Sequence, residues 1–244
     1  GNAIGSCFGQ LGLVIGIGGL IGRLSLPREQ LLRHGGFLVA ATVALFLIGL
    51  DGSVSRLEGA MMVLGFGGYI YLVLHDEGLI TGERSLEADE ERERRSVVGN
   101  WVRLLIGLAA VVLSAELIVQ SAMSLATSWG VDQSFIGIAI VGVGTSLPEV
   151  VISIAAVLRR RAGLSVGNLI GSNILDTLLP IGLAALLVEV SFPRSILTFD
   201  LLMLMGLTLL VLSFLFPRKG VRWPQAAVVL AAYCSYLITL TRSL

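Results

Sequence analysis

Two carboxylates, Glu149 and Asp176, lie inside apolar stretches long enough to cross a membrane. A charged side chain at bilayer depth costs roughly 2.5–3.5 kcal/mol on insertion scales, so it persists there only with a partner. In the stretch VGVGTSLPEVV, Pro148 has no N–H to donate to the Gly144 carbonyl, and its ring opens that helical turn. We therefore expect free backbone carbonyls beside Thr145 and Glu149, which are four residues apart and share one helical face.

The next apolar stretch repeats this chemistry. Asn168, Ser172 and Asp176 follow one another at intervals of four residues and so form one narrow stripe on a helix. Pro180 comes four residues later and frees the Asp176 carbonyl. An all-oxygen set suits a hard cation such as Ca²⁺ or Na⁺, whereas zinc and copper prefer His or Cys. The candidate ligands in these two stretches are Gly142, Thr145, Ser146, Glu149, Asn168, Ser172, Asn173 and Asp176.

The elements that position these residues are predicted to be membrane helices. The chain has 244 residues, of which 55% are hydrophobic and 14% charged, and its mean hydropathy is +0.89. This composition excludes an ordinary soluble domain and predicts an all-α polytopic membrane protein. Eight apolar stretches come near the roughly 20 residues that cross a bilayer. They are 2–22, 34–50, 55–74, 98–125, 134–158, 164–188, 195–216 and 223–241.

The charges predict how these helices are oriented. If the eight spans alternate, one side of the membrane holds all the basic residues except Arg56, Arg194 and Arg242. The positive-inside rule makes that side cytoplasmic, together with the charged loop 75–96, and places the C-terminus outside. We expect a prokaryotic inner (plasma) membrane, because this loop is too short for a large regulatory domain. Cys7 and Cys234 fall within predicted spans, which favours packing over a disulfide.

An internal repeat relates the two ends of the chain. GNAIGSCFGQLGLVIG (1–16) aligns without gaps on GNLIGSNILDTLLPIG (167–182), at an offset of 166 residues. The same offset places Pro27 on Pro193 and Arg56 on Arg222. The copies begin five spans apart and so cross the membrane in opposite directions, an inverted-topology repeat with the substrate site expected at the midplane between them.

The repeat adds three candidate ligands and divides the chain. Asn2, Ser6 and Gln10 lie on the stripe of the first copy, with Gln10 at the position of Asp176. Serines and asparagines of membrane helices also mediate packing, so both interpretations stay open for Asn2, Ser6, Asn168 and Ser172. We expect three helices of the first repeat in 1–74, the loop 75–96, and five helices of the second repeat in 97–244.

The second copy is preceded by two helices that carry the opening motif, and the first copy is not. We therefore expect about 70 further residues upstream, enough for two helices of about 20 residues with their loops. The eight helices present would then belong to a total of ten. A naturally eight-helix protein is the alternative.

These motifs resemble the sodium/calcium exchanger family of cation antiporters. GTSLPE (144–149), followed by GNLIGSNILD (167–176), is similar to the second signature repeat of that family, and GNAIGSCFGQ (1–10) is similar to the latter half of the first. The whole chain fits the family from its third helix to its tenth. Related proton/calcium exchangers carry an acid soon after their Gly-Asn pair, where both copies here have Gly-Ser, which favours sodium as the coupling ion.

The resemblance implies Ca²⁺ or Na⁺ held between the repeats, with Glu149 as the shared central ligand. Thr145 and Gly142 would add a hydroxyl or carbonyl oxygens, and Ser172 and Asp176 would complete the sites on their side. Ser6 and Gln10 stand where the family has the matching ligands of the first half. Gln10 departs from the Asn or Asp that is common there, which bears on ion selectivity and stoichiometry. The partner glutamate is expected in the upstream segment.

The expected function is antiport of Ca²⁺ against Na⁺ by alternating access, without a cofactor and without enzymatic activity. A cation/proton antiporter or a K⁺-dependent antiporter on the same scaffold is the alternative. A channel could use the same acids, but an inverted repeat with broken helices favours an occluded site. A serine protease built on Ser146 is excluded by inventory, since His34 and His75 lie in or beside loops and no lysine occurs in a predicted span.

Overall fold

A computed structural model of the chain describes residues 2–76, 90–131, 136–192, 194, 196–217 and 220–243. Among these residues, seven helices are long and apolar enough to cross a membrane. The fifth predicted span, 134–158, is broken into shorter helices over its described residues. The helices, with three π-helical segments, are α1 (Asn2–Phe8), the first π segment (Gly9–Val14), α2 (Ile15–Ile21), α3 (Arg28–Ile48), α4 (Arg56–Asp76), α5 (Glu90–Ser128), the second π segment (Ile136–Val141), α6 (Gly142–Thr145), α7 (Leu147–Leu158), α8 (Ala162–Leu187), the third π segment (Ile196–Asp200), α9 (Leu201–Leu215) and α10 (Trp223–Ser243).

The fold is therefore the predicted all-α polytopic membrane fold. Residues 77–89 of the predicted charged loop 75–96 lie outside the described residues. The last part of the segment is helical, because α5 begins at Glu90 and runs for 39 residues.

Two short backbone pairings join the first and last thirds of the chain. Leu24, after α2, forms an antiparallel bridge with Val221, before α10. The strands β1 (Ser53–Val54) and β2 (Val190–Ser191) pair Val54 with Val190. The 21-residue helix α3 separates Leu24 from Val54, so the two pairings lie about 30 Å apart, at opposite ends of the bundle. At each end of the bundle, the opening helix of one copy ends and the opening helix of the other copy begins. The two copies therefore run in opposite directions, so the repeat is inverted.

The offset between the two copies increases by one residue, from 166 to 167, between their second and third helices. The buried Thr42 and Thr208 hydroxyls each donate to the carbonyl four residues earlier, which keeps the offset of 166. At the start of the third helices, the Ser55 N–H donates to Glu58 and the Arg222 N–H to Gln225, an offset of 167. Arg56 is therefore equivalent to Trp223, and the ungapped alignment of Arg56 with Arg222 was wrong by one residue.

The opening helices of the two copies form the centre of the core. Ala3–Ile21 is 78% buried and Ala162–Leu187 is 44% buried, more than any of the other membrane-spanning helices described. The last helix of each copy packs on the opening helix of the other, α10 on α2 and α4 on α8. Each opening helix is thus supported mainly by the opposite half of the molecule.

Candidate cation-binding site

The break in the fifth predicted span, 134–158, lies beside the predicted carboxylate Glu149. Ser146 separates α6 from α7 with non-helical backbone angles, and Pro148 occupies the first turn of α7. Glu149 follows in that same turn. On the other side of the break, Gly144 packs so closely on Val119 of α5 that a larger residue would displace that side chain. The proline and this contact together place Glu149 at a helix start inside the protein.

Gln10, from the first π segment, is the centre of the polar network. Its side chain is 1% exposed. Its amide nitrogen donates to Asp176 Oδ2 at 2.9 Å and to Ser146 Oγ at 3.4 Å. Its carbonyl oxygen accepts from Asn173 Nδ2 at 2.7 Å and from Ser172 Oγ at 3.2 Å. One neutral side chain of the first repeat therefore contacts four predicted ligands of the second.

A second contact between the repeats lies one turn earlier on α1. The Ser6 and Thr145 hydroxyl oxygens are 2.8 Å apart. Ser146 Oγ also donates to the Ser6 backbone carbonyl at 3.4 Å. The broken helix is thus joined to α1 at the end of α6 and at the break itself.

Two buried oxygen atoms of the site have no hydrogen-bond partner within the described part of the chain. They are Glu149 Oε2 and Asn173 Oδ1. Both atoms can only accept while Glu149 is ionised, and an unpartnered buried acceptor costs about 1–3 kcal/mol. The Glu149 and Asp176 charges are also close enough to interact with each other. A hard cation would satisfy the oxygens and offset the charge.

Of the other predicted residues, Asn168 lies beside Ser172 of this network, and Gly142 and Asn2 are located by their helices. Asn168 donates to Ser153 Oγ at 3.3 Å, and it lines a cavity of about 890 Å³ together with Glu149 and Ser172. Gly142 is the first residue of α6 and Asn2 the first of α1, but the Asn2 side chain lies outside the described residues. Within those residues, no three His, Cys, Asp or Glu side chains form a metal cluster.

Sequence reasoning missed several polar residues around the site. Ser153 and Thr177 are buried partners of Asn168 and Cys7. Asp200 is a further intramembrane acid, 8% exposed, which accepts a hydrogen bond from Tyr236. The signal that revealed Glu149, an acid within an apolar run, was equally present at Asp200 in the span 195–216.

The chain matches known proteins over most of its length. The family described as "Sodium/calcium exchanger protein" matches residues 1–75 and 99–242. An uncharacterised membrane protein of Methanocaldococcus jannaschii is 33% identical over 236 residues, which cover 96% of this chain and 73% of that protein. A sodium/calcium exchanger of Methanosarcina acetivorans, MaX1, is 26% identical over 276 residues, covering 98% of this chain and 79% of its own.

Solved structures of the sodium-calcium exchanger NCX_Mj have the same fold. The structure from crystals soaked with 10 mM Na⁺ and no Ca²⁺ matches with a TM-score of 0.81 and 29% sequence identity. The match covers 98% of this chain and 76% of that one. The match therefore spans the broken helix and both opening helices.

Proposed function

This chain belongs to the sodium/calcium exchanger protein family, and on that premise we propose that it exchanges Ca²⁺ for Na⁺ across the membrane by alternating access. The family and the fold make it a membrane transporter of cations rather than an enzyme. The observation that supports Ca²⁺ and Na⁺ as the transported ions is the network around Gln10. It joins oxygen ligands of both repeats, and one of them, Ser172, lines the same cavity as Glu149, whose Oε2 is an acceptor without a donor among the described residues.

We assign Glu149 as the central ligand and Asp176 as the second carboxylate. Oxygen atoms of the remaining predicted ligands complete the sites. They are Asn2, Ser6, Gln10, Gly142, Thr145, Ser146, Asn168, Ser172 and Asn173. Ca²⁺ and Na⁺ compete for these overlapping oxygens. An empty site leaves the acids unpaired in low dielectric, so the unloaded protein resists switching and exchange becomes obligatory.

The repeat provides the architecture for this mechanism. In our proposal residues 1–74 and 97–244 form the two inverted halves, and the loop 75–96 faces the cytoplasm of a prokaryotic cell. The basic residues near the ends of the spans support this orientation. Binding at the interface of the halves couples the cation load to their relative movement.

The test is Na⁺-driven Ca²⁺ uptake by the purified full-length protein in proteoliposomes. We expect Na⁺-loaded vesicles to accumulate Ca²⁺ on dilution into Na⁺-free buffer. Glu149→Gln should reduce uptake to the level of protein-free liposomes, because it replaces an anionic ligand with a neutral amide. Glu29→Gln, in the exposed first turn of α3, is the matched control and should transport normally.

Each other result has a defined meaning. Appreciable Ca²⁺ flux in Glu149→Gln would remove this residue from the site. Uptake driven by a pH gradient in place of Na⁺ would identify a cation/proton antiporter, and a requirement for K⁺ would identify a K⁺-dependent exchanger. No coupled Ca²⁺ movement under any of these gradients would overturn the proposed function.

A further inference from the structure

We propose that Tyr236, held by Asp200, is a positioning residue that fixes the first π segment and thereby aims Gln10 at the cation site. This inference rests on the proposed function of that site. It assigns a role to Asp200, the buried acid that the ion-binding mechanism leaves unused. Tyr69 and His34 form the equivalent pair in the other half of the molecule.

Asp200 lies at membrane depth without taking part in the Gln10 network. It ends the third π segment, and its Oδ1 accepts from the Tyr236 hydroxyl at 2.9 Å. Both side chains are less than one-tenth exposed. A charged acid inside the membrane is energetically costly, so its presence there indicates a function. π-helical turns are also frequent at functional sites.

Tyr236 connects Asp200 to the helix that carries Gln10. Its ring stacks on Phe8, with centroids 3.7 Å apart and planes at 9°. Phe8 is the last residue of α1, and Gln10 comes two residues later in the π segment. Because the hydroxyl of Tyr236 is anchored on Asp200, the ring has one orientation, and this orientation fixes Phe8.

The same face of α10 also supports the middle of the π segment. A Cβ atom on Gly12 would lie 2.6 Å from the Tyr233 side chain, so the two helices are in direct contact there. A π turn carries one residue more than an α-helical turn, and it persists where neighbouring side chains match its width. Tyr233 and Tyr236 provide that match on the two sides of Gln10.

The repeat contains a second copy of this arrangement. His34 is equivalent to Asp200 by the offset of 166, and Tyr69 to Tyr236 by the offset of 167 found for the third helices. His34 Nδ1 and the Tyr69 hydroxyl are 3.0 Å apart. A Cβ atom on Gly171 would lie 3.8 Å from that hydroxyl, so Tyr69 faces the turn of α8 that carries Ser172. Each half thus uses a hydrogen-bonded tyrosine against the opening helix of the other half.

The experiment separates positioning from simple support of the fold. Tyr236→Phe keeps the ring but loses the hydrogen bond to Asp200, whereas Asp200→Asn keeps an oxygen that can accept it. Tyr233→Phe is the matched control, because it removes a hydroxyl one turn away on the same helix and keeps the ring atoms that contact Gly12. All variants are made in the full chain with Cys234→Ser, so that the buried Cys7 is the remaining thiol.

Two measurements are made on each variant. The first is the rate at which N-ethylmaleimide alkylates Cys7, which directly precedes Phe8 and reports on the local order of α1. The second is the KM for Ca²⁺ and for Na⁺ in proteoliposomes, together with the maximal rate. A purely structural role would reduce the amount of active protein, and hence the maximal rate, without changing the ratio of the two KM values.

We expect Tyr236→Phe to speed Cys7 alkylation and to change the ratio of KM values, each by about threefold or more. Asp200→Asn and Tyr233→Phe should stay close to the parent. The inference is overturned if Tyr236→Phe matches Tyr233→Phe in both measurements, or if only its maximal rate falls. If the parent shows no Na⁺-dependent Ca²⁺ uptake, the proposed function fails, and the Cys7 rates alone then decide whether Tyr236 orders α1.

Discussion

At the scale of single residues, the amide of Gln10 determines the charge of the site. It donates to Asp176 and Ser146 and accepts from Ser172 and Asn173, so both ends of the amide are used. A carboxylate in its place could not donate to Asp176 when ionised, and it would set two negative charges against each other. The neutral side chain therefore fits a site with one carboxylate, Asp176, at this level.

Asp176 should accordingly control how strongly the site prefers a divalent ion. Asp176→Asn keeps an oxygen that accepts from Gln10 but removes one of the two negative charges beside the cation. We expect the KM for Ca²⁺ to rise by about tenfold or more while the KM for Na⁺ changes less, because Ca²⁺ affinity depends on the number of charged ligands. Uptake of Ca²⁺ measured over a range of Ca²⁺ and Na⁺ concentrations checks this.

Asp51→Asn provides the control for that substitution, because Asp51 is an exposed residue at the end of a 3₁₀ turn, Gly49–Asp51, and accepts a hydrogen bond from the Ser53 backbone. It removes the same charge far from the network and should leave both KM values unchanged. An equal rise of both KM values in Asp176→Asn would contradict the charge argument and indicate general damage to the site.

At the scale of helices, the two opening helices are distorted at equivalent positions by different means. The first contains the π segment Gly9–Val14. The second contains Pro180, which is equivalent to Val14. Proline removes one helical hydrogen bond, and a π turn shifts the bonding pattern by one residue. Both features interrupt the α-helical hydrogen bonding of the turns that contain or follow Gln10 and Asp176.

The opening helices are positioned by close approach to helices of the opposite half. A Cβ atom on Gly59 of α4 would lie 2.7 Å from Ala185 Cβ and 2.8 Å from the Gly182 carbonyl oxygen of α8. Small residues at such crossings allow the backbones of membrane helices to pack directly. This contact helps to hold α8, and with it Ser172 and Asp176, in place.

Alanine substitutions on α4 test this contact. Gly59→Ala should destabilise the protein by about 1–3 kcal/mol, because the new methyl group meets backbone atoms that cannot move alone. Gly65→Ala, on the same helix with nothing within 4 Å of its Cβ position, should be neutral or stabilise by up to about 1 kcal/mol. Thermal unfolding of both variants in detergent measures the difference. Equal unfolding temperatures would show that the α4–α8 crossing tolerates expansion.

At the scale of the whole molecule, the repeat explains which features could be predicted. Pro148 predicted the opened turn before Glu149, and the alignment of Gln10 on Asp176 predicted that both belong to one site between the repeats. No proline marks the first π segment, which is maintained by packing against α10 and so leaves no local signal. The pairs Tyr69–His34 and Tyr236–Asp200 were not predicted, because an ungapped alignment places the two tyrosines one residue out of register.

The inverted repeat makes a further prediction about the protein in its membrane. Arg28 and Arg194 are equivalent by the offset of 166, and both are exposed. An inverted repeat places equivalent residues on opposite faces, whereas a parallel repeat places them on the same face. The distribution of basic residues puts Arg28 inside and Arg194 outside.

Single cysteines at these two positions test that prediction in the Cys234→Ser background, where the remaining native thiol is buried. A membrane-impermeant maleimide should label Arg194→Cys in intact spheroplasts, and it should label Arg28→Cys only after lysis. Labelling of both from the same side would contradict the inverted repeat. Positions on the same side are separated by an even number of spans, whereas an inverted repeat needs an odd number. The reverse pattern would keep the repeat but invert its orientation, so that the basic loops would face outward against the rule that assigned them.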